Sequence, residues 1–180
     1  KDKIKLPVKM ASMDKLKPST DQINKWIKKF KGPYVISDKL DGSSGLLVFN
    51  DGKINLYTRG DGTTGTDITS ILSNINGIPK FNPKDKVIVR GELIISKQKF
   101  KKFDKTYSNS RAMVNGLIGK KKVTAKELEV IDFVAYEVIE PVLKPSEQFS
   151  FLKSNKFLTV TNKSEKTIDE SKLSAYFKER

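Results

Sequence analysis

The stretch KLDGSSGLLVFNDGKINLYTRGDG, residues 39–62, decides the predicted fold. Gly45–Phe49 and Lys53–Thr58 are strand-like runs, and the Asn50-Asp51-Gly52 sequence between them is typical of a β-hairpin turn. Lys39-Leu40-Asp41-Gly42 precedes the first run, and Arg59-Gly60 follows the second. Charged residues therefore stand beside glycines at strand ends, where binding sites are commonly assembled.

Lys39-Leu40-Asp41-Gly42 is a candidate for nucleophilic chemistry. A lysine nucleophile requires a partly desolvated site and neighbours that do not pair with it permanently. A glycine three residues later allows the backbone to approach a nucleotide closely. The four-residue pattern alone is also compatible with an ordinary β-turn.

Two further segments of the same kind make an isolated turn a poor explanation. Arg59 opens a glycine- and threonine-rich loop that runs to Gly65, and Arg90-Gly91-Glu92 ends another strand-like run. An arginine can hold ribose or phosphate, and a carboxylate can hold ribose hydroxyls or a divalent metal. Three unrelated turns with surface charges would be the alternative explanation.

The rest of the chain predicts a mixture of helices and strands. Ser19 and Gln22 suit the start of a helix whose apolar residues are Ile23, Trp26, Ile27 and Phe30, with Gly32-Pro33 as its stop. Trp26 and Phe30 are predicted to face the core of the protein. Further strands are predicted at 34–38, 87–95 and 131–139. A short helix is predicted after Thr66 or Asp67, and longer ones at 96–103, at 111–118 with an opening near Asn109 or Ser110, from Pro145, and around Leu173, Tyr176 and Phe177. The predicted class is α+β, with a largely antiparallel sheet flanked by helices.

Composition excludes several kinds of chemistry. The 180 residues contain neither cysteine nor histidine, so disulfides, thiolate sites, Ser-His-Asp triads and His-ligated metals are excluded. No apolar run approaches the length of a membrane span, and no signal-peptide core is present. The formal net charge of +14 favours a polyanionic partner, although a lysine-rich solvated surface would give the same value.

These motifs resemble the adenylation domain of NAD⁺-dependent DNA ligases. K-L-D-G, then T-R-G-D-G-T-T-G-T-D-I-T, then V-R-G-E follow the order of that family's elements. Ser12-Met13 is similar to its early Ser-Leu element, Asn109-Ser110-Arg111 to its N-P-R-N element, and Phe133–Tyr136 to the aromatic strand over adenine. The similarity covers residues 9–140, and the residues of these elements are most similar to those of ligases of large DNA viruses.

The resemblance implies a nucleotidyltransferase (ATP-grasp-like ligase) fold and a reaction in which Lys39 accepts AMP from NAD⁺. AMP would then pass to the 5′-phosphate of a nick, and the strand would be sealed. Asp41 would orient or activate Lys39, and Arg59 and Glu92 would contact ribose. Ser12, Met13, Ser37 and Tyr136 would line the adenylate pocket, Arg111 would face phosphates, and Glu92 is a candidate Mg²⁺ ligand.

The sequence departs from the family pattern at several positions. Ser37 stands where the family carries an adenine-reading glutamate, so either Ser37 or the adjacent Asp38 would take that role. Gly119 stands where a second phosphate-facing arginine is expected, with Lys120 or Lys121 as substitutes. Neither the later D/E-G-hydrophobic-Val strand nor the V-x-K strand is found before Arg180. Residues 1–180 are therefore expected to form most of the adenylation domain, truncated before the C-terminal nucleotide-binding strands, and the fragment is expected to react poorly alone.

The expected partner is nicked double-stranded DNA, and no membrane association is expected. The protein is expected to be a monomer and to act inside a cell, in the cytoplasm, a viral factory or the nucleus. An ATP-dependent DNA ligase, an RNA ligase or a capping enzyme would use the same lysine chemistry with another donor. A non-catalytic basic nucleic-acid-binding module is the alternative from a different class. The Lys97–Lys105 cluster is expected to be a solvated helix face, with DNA backbone contact as the second explanation.

Overall fold

A computed structural model describes every residue from Lys1 to Arg180. The strands are β1 (Lys3–Lys5), β2 (Tyr34–Ser37), β3 (Ser43–Asn50), β4 (Lys53–Thr58), β5 (Thr64–Thr66), β6 (Val87–Ile94), β7 (Asp132–Glu140) and β8 (Asn162–Glu165). The helices are α1 (Gln22–Lys29), α2 (Lys97–Phe100), α3 (Ser110–Gly119), α4 (Ala125–Leu128), α5 (Pro145–Ser154) and α6 (Glu170–Glu179). A mixed fold of antiparallel sheets and helices is thereby confirmed.

The chain forms two compact units. The first contains Lys1–Met10 and Lys39–Val160, and the second contains Ala11–Asp38 and Thr161–Arg180. The chain passes from one unit to the other after Met10, after Asp38 and after Val160. That residues 1–180 constitute most of one family domain stays a prediction.

The first unit is built on a four-stranded antiparallel sheet in the order β4-β3-β6-β7. The predicted hairpin is confirmed, since Asn50 pairs with Lys53 at its turn and Gly45 with Thr58 at its open end. Asp51 and Gly52 have φ values of 50° and 72°, the left-handed conformations that such a turn requires. β1 and β5 form a separate antiparallel pair.

Both faces of the central sheet are covered by apolar side chains. On one face, Leu46, Val48 and Ile88 form a buried cluster with Leu6 and Met10 of the N-terminal segment. On the other face, the buried Phe133 ring lies against Gly45 and Gly91, where an added Cβ would approach the ring to 3.3 and 2.6 Å. The two glycines thus make the space that the Phe133 ring fills.

The second unit contains α1, β2, β8 and α6. β2 and β8 pair antiparallel, with Tyr34 opposite Glu165 and Ser37 opposite Asn162. α1 buries Ile23, and α6 begins at a capped end where the Asp169 carboxylate accepts the Lys172 N–H at 2.8 Å. The predicted amphipathic C-terminal helix is therefore present, although its Phe177 side chain is exposed.

The predicted start of α1 at Ser19 is wrong. Ser19 has a left-handed φ of 58°, and the helix begins at Gln22, after Asp21. The Gln22 side chain accepts the Lys17 N–H at 2.9 Å, so it does not close a capping box on Ser19. Phe30, predicted to face the core, is 44% exposed, because the helix ends before it.

The short helix predicted after the glycine-rich loop is present as the single 3-10 turn Thr69–Ile71. Thr64–Thr66, which precedes it, is a short strand that pairs with β1. The short strands β1 and β8 were not predicted, because β1 has a single apolar residue and β8 has none. None of the helices has the length and apolar character that crossing a membrane requires.

Candidate active site

The charged motifs of the first unit meet at one end of the central sheet. Ser44, at the start of β3, pairs with Glu92 near the end of β6. Arg59, just after β4, donates its backbone N–H to the Ser44 carbonyl oxygen at 3.3 Å. Lys39 and Asp41 lie immediately before β3 in the chain. The antiparallel order of the sheet therefore assembles the three motifs that the sequence separates.

Lys39, the predicted nucleophile, is exposed and forms no salt bridge or hydrogen bond. The sequence predicted a partly desolvated lysine, and this structure places it in solvent instead. The sequence also predicted that neighbouring groups do not pair permanently with Lys39, and none of them pairs with it in this structure. Its amine is available to a ligand.

Asp41, two residues after Lys39, is held by Arg111 of α3. The Arg111 Nε and Nη2 atoms lie 2.6 and 2.5 Å from the Asp41 Oδ1 atom, and both side chains are more than half exposed. α3 begins here because the Asn109 side chain accepts the Ala112 N–H at 2.8 Å, a standard N-terminal cap. The cap places Arg111 in the first helical turn, where its side chain reaches Asp41.

Glu92 is the half-buried carboxylate of the site. The Ser44 hydroxyl donates to its Oε2 atom at 3.3 Å. Burial raises the pKa of Glu92 above its ordinary value, whereas the Ser44 hydrogen bond and the positive charges of Arg90 and Arg111 oppose that rise. A carboxylate in this environment gains from new hydrogen-bond donors or a cation, so it is suited to hold a polar ligand.

Tyr136 lies beside Arg90, with the guanidinium carbon 5.8 Å from the centre of the ring. Burial raises the pKa of the Tyr136 hydroxyl, so it stays protonated at neutral pH. Arg90 also lies 4.0 Å from the Glu137 carboxylate. Of the aromatic segment 133–136, Tyr136 is therefore at the polar site, while Phe133 is buried in the core.

Arg59 and the loop after it are held by main-chain contacts. The Arg59 Nε atom donates to the Met10 carbonyl oxygen at 3.1 Å, and the Met10 N–H donates to the Gly62 oxygen at 2.9 Å. Asp61 accepts the N–H groups of Thr63 and Thr64, which lowers the pKa of its carboxyl to about 2. Asp61 therefore shapes the loop, and Arg59 is fixed between the loop and the N-terminal segment.

Three predicted adenylate-pocket residues belong to the second unit. Ser12 and Met13 are exposed and lie outside helices and strands, and Ser37 is the exposed last residue of β2. Their assignment to the pocket stays a prediction.

Asp38, the alternative to Ser37 as an adenine reader, has both carboxylate oxygens engaged within the second unit. Arg180 donates to them at 2.7–3.2 Å, and the Tyr176 hydroxyl donates to Oδ1 at 3.1 Å. The hydrogen bond from Arg180 lowers the pKa of Asp38. This arrangement favours Ser37 for a role in binding the base.

The sequence motifs did not mark Ser44, Tyr176 or Arg180 as site residues, and they marked Arg90 without assigning it a specific contact. Arg90 and Glu92 are two residues apart in β6. Since side chains at positions i and i+2 of a strand lie on the same face, this spacing could have indicated that the two share a face. No local pattern marks Tyr176 or Arg180, because their partner Asp38 is 138 and 142 residues away in the chain.

A cavity of about 430 Å³ in the first unit lies away from these charged residues. Asn50, Gly52 and Lys53 of the hairpin turn line it together with Phe81 and neighbouring residues. The hairpin turn is at the opposite end of β3 from Ser44, since β3 runs from Ser43 to Asn50. We place the candidate site at the Ser44 end, because the lysine, the paired charges and the half-buried carboxylate are there.

No group of three or more carboxylates in the chain is arranged to hold a metal ion. Mg²⁺ commonly binds through one or two carboxylates together with substrate phosphates and water. Glu92 fits the first requirement, because it is a half-buried carboxylate at the candidate site.

Known proteins are similar in sequence to nearly the whole chain. The family model described as the NAD-dependent DNA ligase adenylation domain matches residues 2–179. A DNA ligase of Acanthamoeba polyphaga mimivirus is 43% identical over 183 residues, which covers 99% of this chain. A DNA ligase of Campylobacter lari is 33% identical over 171 residues, which covers 87% of the chain. The matched parts are 29% and 26% of the lengths of those two proteins.

Proposed function

Because the chain belongs to the family of NAD-dependent DNA ligase adenylation domains, we propose that Lys39 is the residue that accepts AMP. The observation that carries this proposal is the unpaired Lys39 next to an end of the sheet where Asp41, Arg59, Glu92 and Arg111 converge. We further propose that the fold is that of the nucleotidyltransferases and that residues 1–180 form most of the domain.

The first reaction is attack of the neutral Lys39 amine on the α-phosphorus of NAD⁺. A bond forms between the lysine nitrogen and phosphorus, and the bond from phosphorus to the bridging oxygen breaks. Nicotinamide mononucleotide leaves with the electron pair of that bond, and the amine loses a proton. Only a lysine that is not held in a permanent ion pair can react in this way.

Arg111 is proposed to face the phosphates of the donor. Its guanidinium lies at the start of α3, and both Nε and Nη2 point to Asp41. A planar guanidinium can donate two parallel hydrogen bonds to phosphate oxygens, which gives geometric specificity as well as charge. Asp41 orients the site by holding Arg111 in this place.

Glu92 and Arg59 are proposed to contact the ribose of the adenylate. The Glu92 carboxylate can accept hydrogen bonds from ribose hydroxyls, and such bonds would offset the cost of its partial burial. Arg59 is anchored by its backbone to Ser44, so its position relative to Glu92 is fixed by the sheet.

Tyr136 is proposed to flank the adenine base, together with Ser12, Met13 and Ser37. The Tyr136 ring is largely buried and is held next to Arg90, so it presents a rigid aromatic surface. Ser37 would read the base through its hydroxyl or its backbone, because Asp38 is held by Arg180 and Tyr176.

Glu92 would be the protein ligand of a Mg²⁺ ion, and the ion would supply charge neutralisation to the phosphates of the donor.

Further, we propose that a longer protein containing this chain passes AMP to the 5′-phosphate of nicked DNA and seals the strand. The mimivirus and Campylobacter lari relatives are named DNA ligases, and this chain spans less than a third of each.

The experiment that tests the proposed function is intact-mass measurement after incubation with Mg²⁺ and either NAD⁺ or ATP. It is performed on this chain and on a full-length protein that contains it, each beside a Lys39→Ala variant. The expected result is addition of one AMP to the full-length protein with NAD⁺, none with ATP, and none in the variant.

Other outcomes would redirect the proposal. AMP gained from ATP alone would assign the protein to the ATP-using branch of this chemistry. AMP found in the Lys39→Ala variant would place the nucleophile elsewhere. If the full-length protein accepts AMP from neither donor, the covalent mechanism is wrong and a DNA-binding role takes its place.

A further inference from the structure

Lys39 has a carboxylate on each side in the chain, and an arginine holds each of them. Asp38 precedes Lys39 and is bound by Arg180, whereas Asp41 follows it and is bound by Arg111. The first pair lies within the second unit, and the second pair lies within the first unit. Lys39 itself, by contrast, forms no salt bridge.

The Asp38 pair is the more extensively bonded of the two. Arg180 donates through Nε to Oδ1 and Oδ2 at 3.2 and 2.9 Å and through Nη2 to Oδ2 at 2.7 Å. The Tyr176 hydroxyl adds a hydrogen bond to Oδ1 at 3.1 Å. Bidentate arginine–carboxylate pairs of this kind have a fixed geometry as well as a favourable energy.

Arg180 and Tyr176 also contact Thr161, whose carbonyl oxygen accepts the Asp38 N–H. The Tyr176 hydroxyl lies 3.2 Å from the Thr161 carbonyl oxygen, and Arg180 Nη2 lies 3.2 Å from Thr161 Oγ1. The Asp38 N–H donates to the same Thr161 carbonyl at 3.1 Å. The backbone and the side chain of Asp38 are therefore both fixed one peptide bond before Lys39.

We propose that Tyr176 and Arg180 are positioning residues, which keep the Asp38 carboxylate bonded within the second unit so that it does not pair with the Lys39 amine. A free carboxylate next to an ammonium group stabilises the charged form, and only the neutral amine attacks. Occupation of Asp38 by Arg180 removes this competing partner. The proposal builds on the role of Lys39 given above, but the availability of the amine can be measured without a nucleotide.

The decisive comparison is between Arg180→Gln and the double variant Asp38→Asn with Arg180→Gln. Arg180→Gln frees a charged Asp38, so Lys39 is expected to react about two- to fivefold more slowly, the scale of an exposed ion pair. In the double variant the carboxylate is absent, and the rate is expected to return to that of the original protein. Arg180→Lys should keep most of the rate, because it retains the charge.

The measurement is the rate of acetylation of Lys39 by a water-soluble N-hydroxysuccinimide ester, followed by peptide mass spectrometry. The exposed Lys53 is the internal reference, and Lys178→Gln on α6 is the control for loss of one positive charge. Lysyl-AMP formation from NAD⁺ by the full-length protein is measured in parallel. Circular dichroism of each variant confirms that α6 is retained.

Two results would overturn the inference. Unchanged acetylation of Lys39 in Arg180→Gln would show that Asp38 does not compete for the amine. A loss of rate in Arg180→Gln that does not recover in the double variant would show that the network has only a structural role. If acetylation follows the expected pattern but no AMP is transferred, the inference stands and the proposed function fails.

Discussion

At the scale of single residues, the site is defined by how its charges are compensated. Asp38 and Asp41 are each held by an arginine, Arg90 lies against Tyr136 and Glu137, and Glu92 accepts a hydrogen bond from Ser44. Burial raises the pKa of Glu92, so its charged form is disfavoured in the folded protein. A group of this kind costs the fold stability and gives a ligand something to bind.

Replacement of Glu92 by glutamine is expected to stabilise the protein by about 0.5–1 kcal/mol at pH 7. Burial raises the folded-state pKa of Glu92, so ionisation disfavours the folded state. The advantage of the variant should shrink as pH falls from the raised pKa to the ordinary carboxyl value of about 4.3, and vanish below it. Urea unfolding at pH 7 and at pH 3.5 measures both parts.

The matched control for that experiment is Glu129→Gln. Glu129 is exposed, and its side chain forms no salt bridge, so its replacement should change the free energy of unfolding by less than about 0.5 kcal/mol. A Glu92→Gln variant that is less stable than the original protein at pH 7 would contradict the expectation.

At the scale of elements, the local patterns predicted most of the secondary structure. The hairpin of β3 and β4, the Asn109 cap of α3 and the strand β7 follow from turn, capping and strand signals in the sequence. Ser19 was predicted as a cap because a serine followed three residues later by glutamine fits the capping-box pattern. The pattern does not reveal that Ser19 takes a left-handed conformation, since that depends on the fold around it.

The candidate site was predictable to the extent that its motifs are contiguous. Asp41, Arg59 and Glu92 stand beside glycines and Lys39 is three residues before one, and these signals led to them directly. The pairing of Asp41 with Arg111 joins residues 70 positions apart, and that of Asp38 with Arg180 joins residues 142 apart. Pairings at such separations depend on the tertiary fold, and a single sequence carries no local signal for them.

Gly91→Ala is expected to destabilise the fold by roughly 1–3 kcal/mol, the usual cost of overpacking a core. An added Cβ at Gly91 would lie 2.6 Å from Phe133 Cζ and 2.7 Å from the Val134 carbonyl oxygen. The backbone oxygen cannot move without disturbing the pairing of β6 with β7. Thermal or urea unfolding measures the loss.

Gly119→Ala is the matched control, because it makes the same change where nothing lies within 4 Å of the added Cβ. Gly119 is the last residue of α3, so alanine there should be neutral or stabilise by up to about 1 kcal/mol. Equal effects at Gly91 and Gly119 would mean that the close packing of Phe133 does not limit position 91.

At the scale of the whole molecule, one segment of the first unit carries a large excess of positive charge. Residues 97–122 contain eight lysines and one arginine but a single acid, Asp104. Lys99 and Lys120 are paired with Asp132 and Glu127, whereas Lys101, Lys102 and Lys121 are exposed and form no salt bridge. The segment includes Arg111, which contacts Asp41, so it extends from the candidate site.

In a full-length protein that contains this chain, the triple change of Lys101, Lys102 and Lys121 to glutamine is expected to weaken binding to nicked duplex DNA. Each lost phosphate contact should reduce the slope of log affinity against log salt by about one. Fluorescence anisotropy at several salt concentrations gives this slope. An unchanged slope would support the alternative, in which the lysines only form a solvated helix face.

The control for that measurement is a second triple change of the same charge, at Lys53, Lys80 and Lys153. These lysines are exposed, form no salt bridge and belong to other segments of the first unit. If this change reduces the slope as much as the first, the DNA is attracted by net charge rather than by the segment 97–122.

The discontinuous second unit has a consequence for synthesis on the ribosome. β2 is made early, but its partner β8 and the helix α6 that carries Tyr176 and Arg180 are made only after all of Lys39–Val160. Because the chain emerges from the ribosome N-terminus first, β2 has no pairing strand during the period in which the first unit can already fold. The residue preceding the proposed nucleophile is thus fixed only when the last turn of α6 has left the ribosome, so the nascent chain completes its central sheet before it holds Asp38 in place.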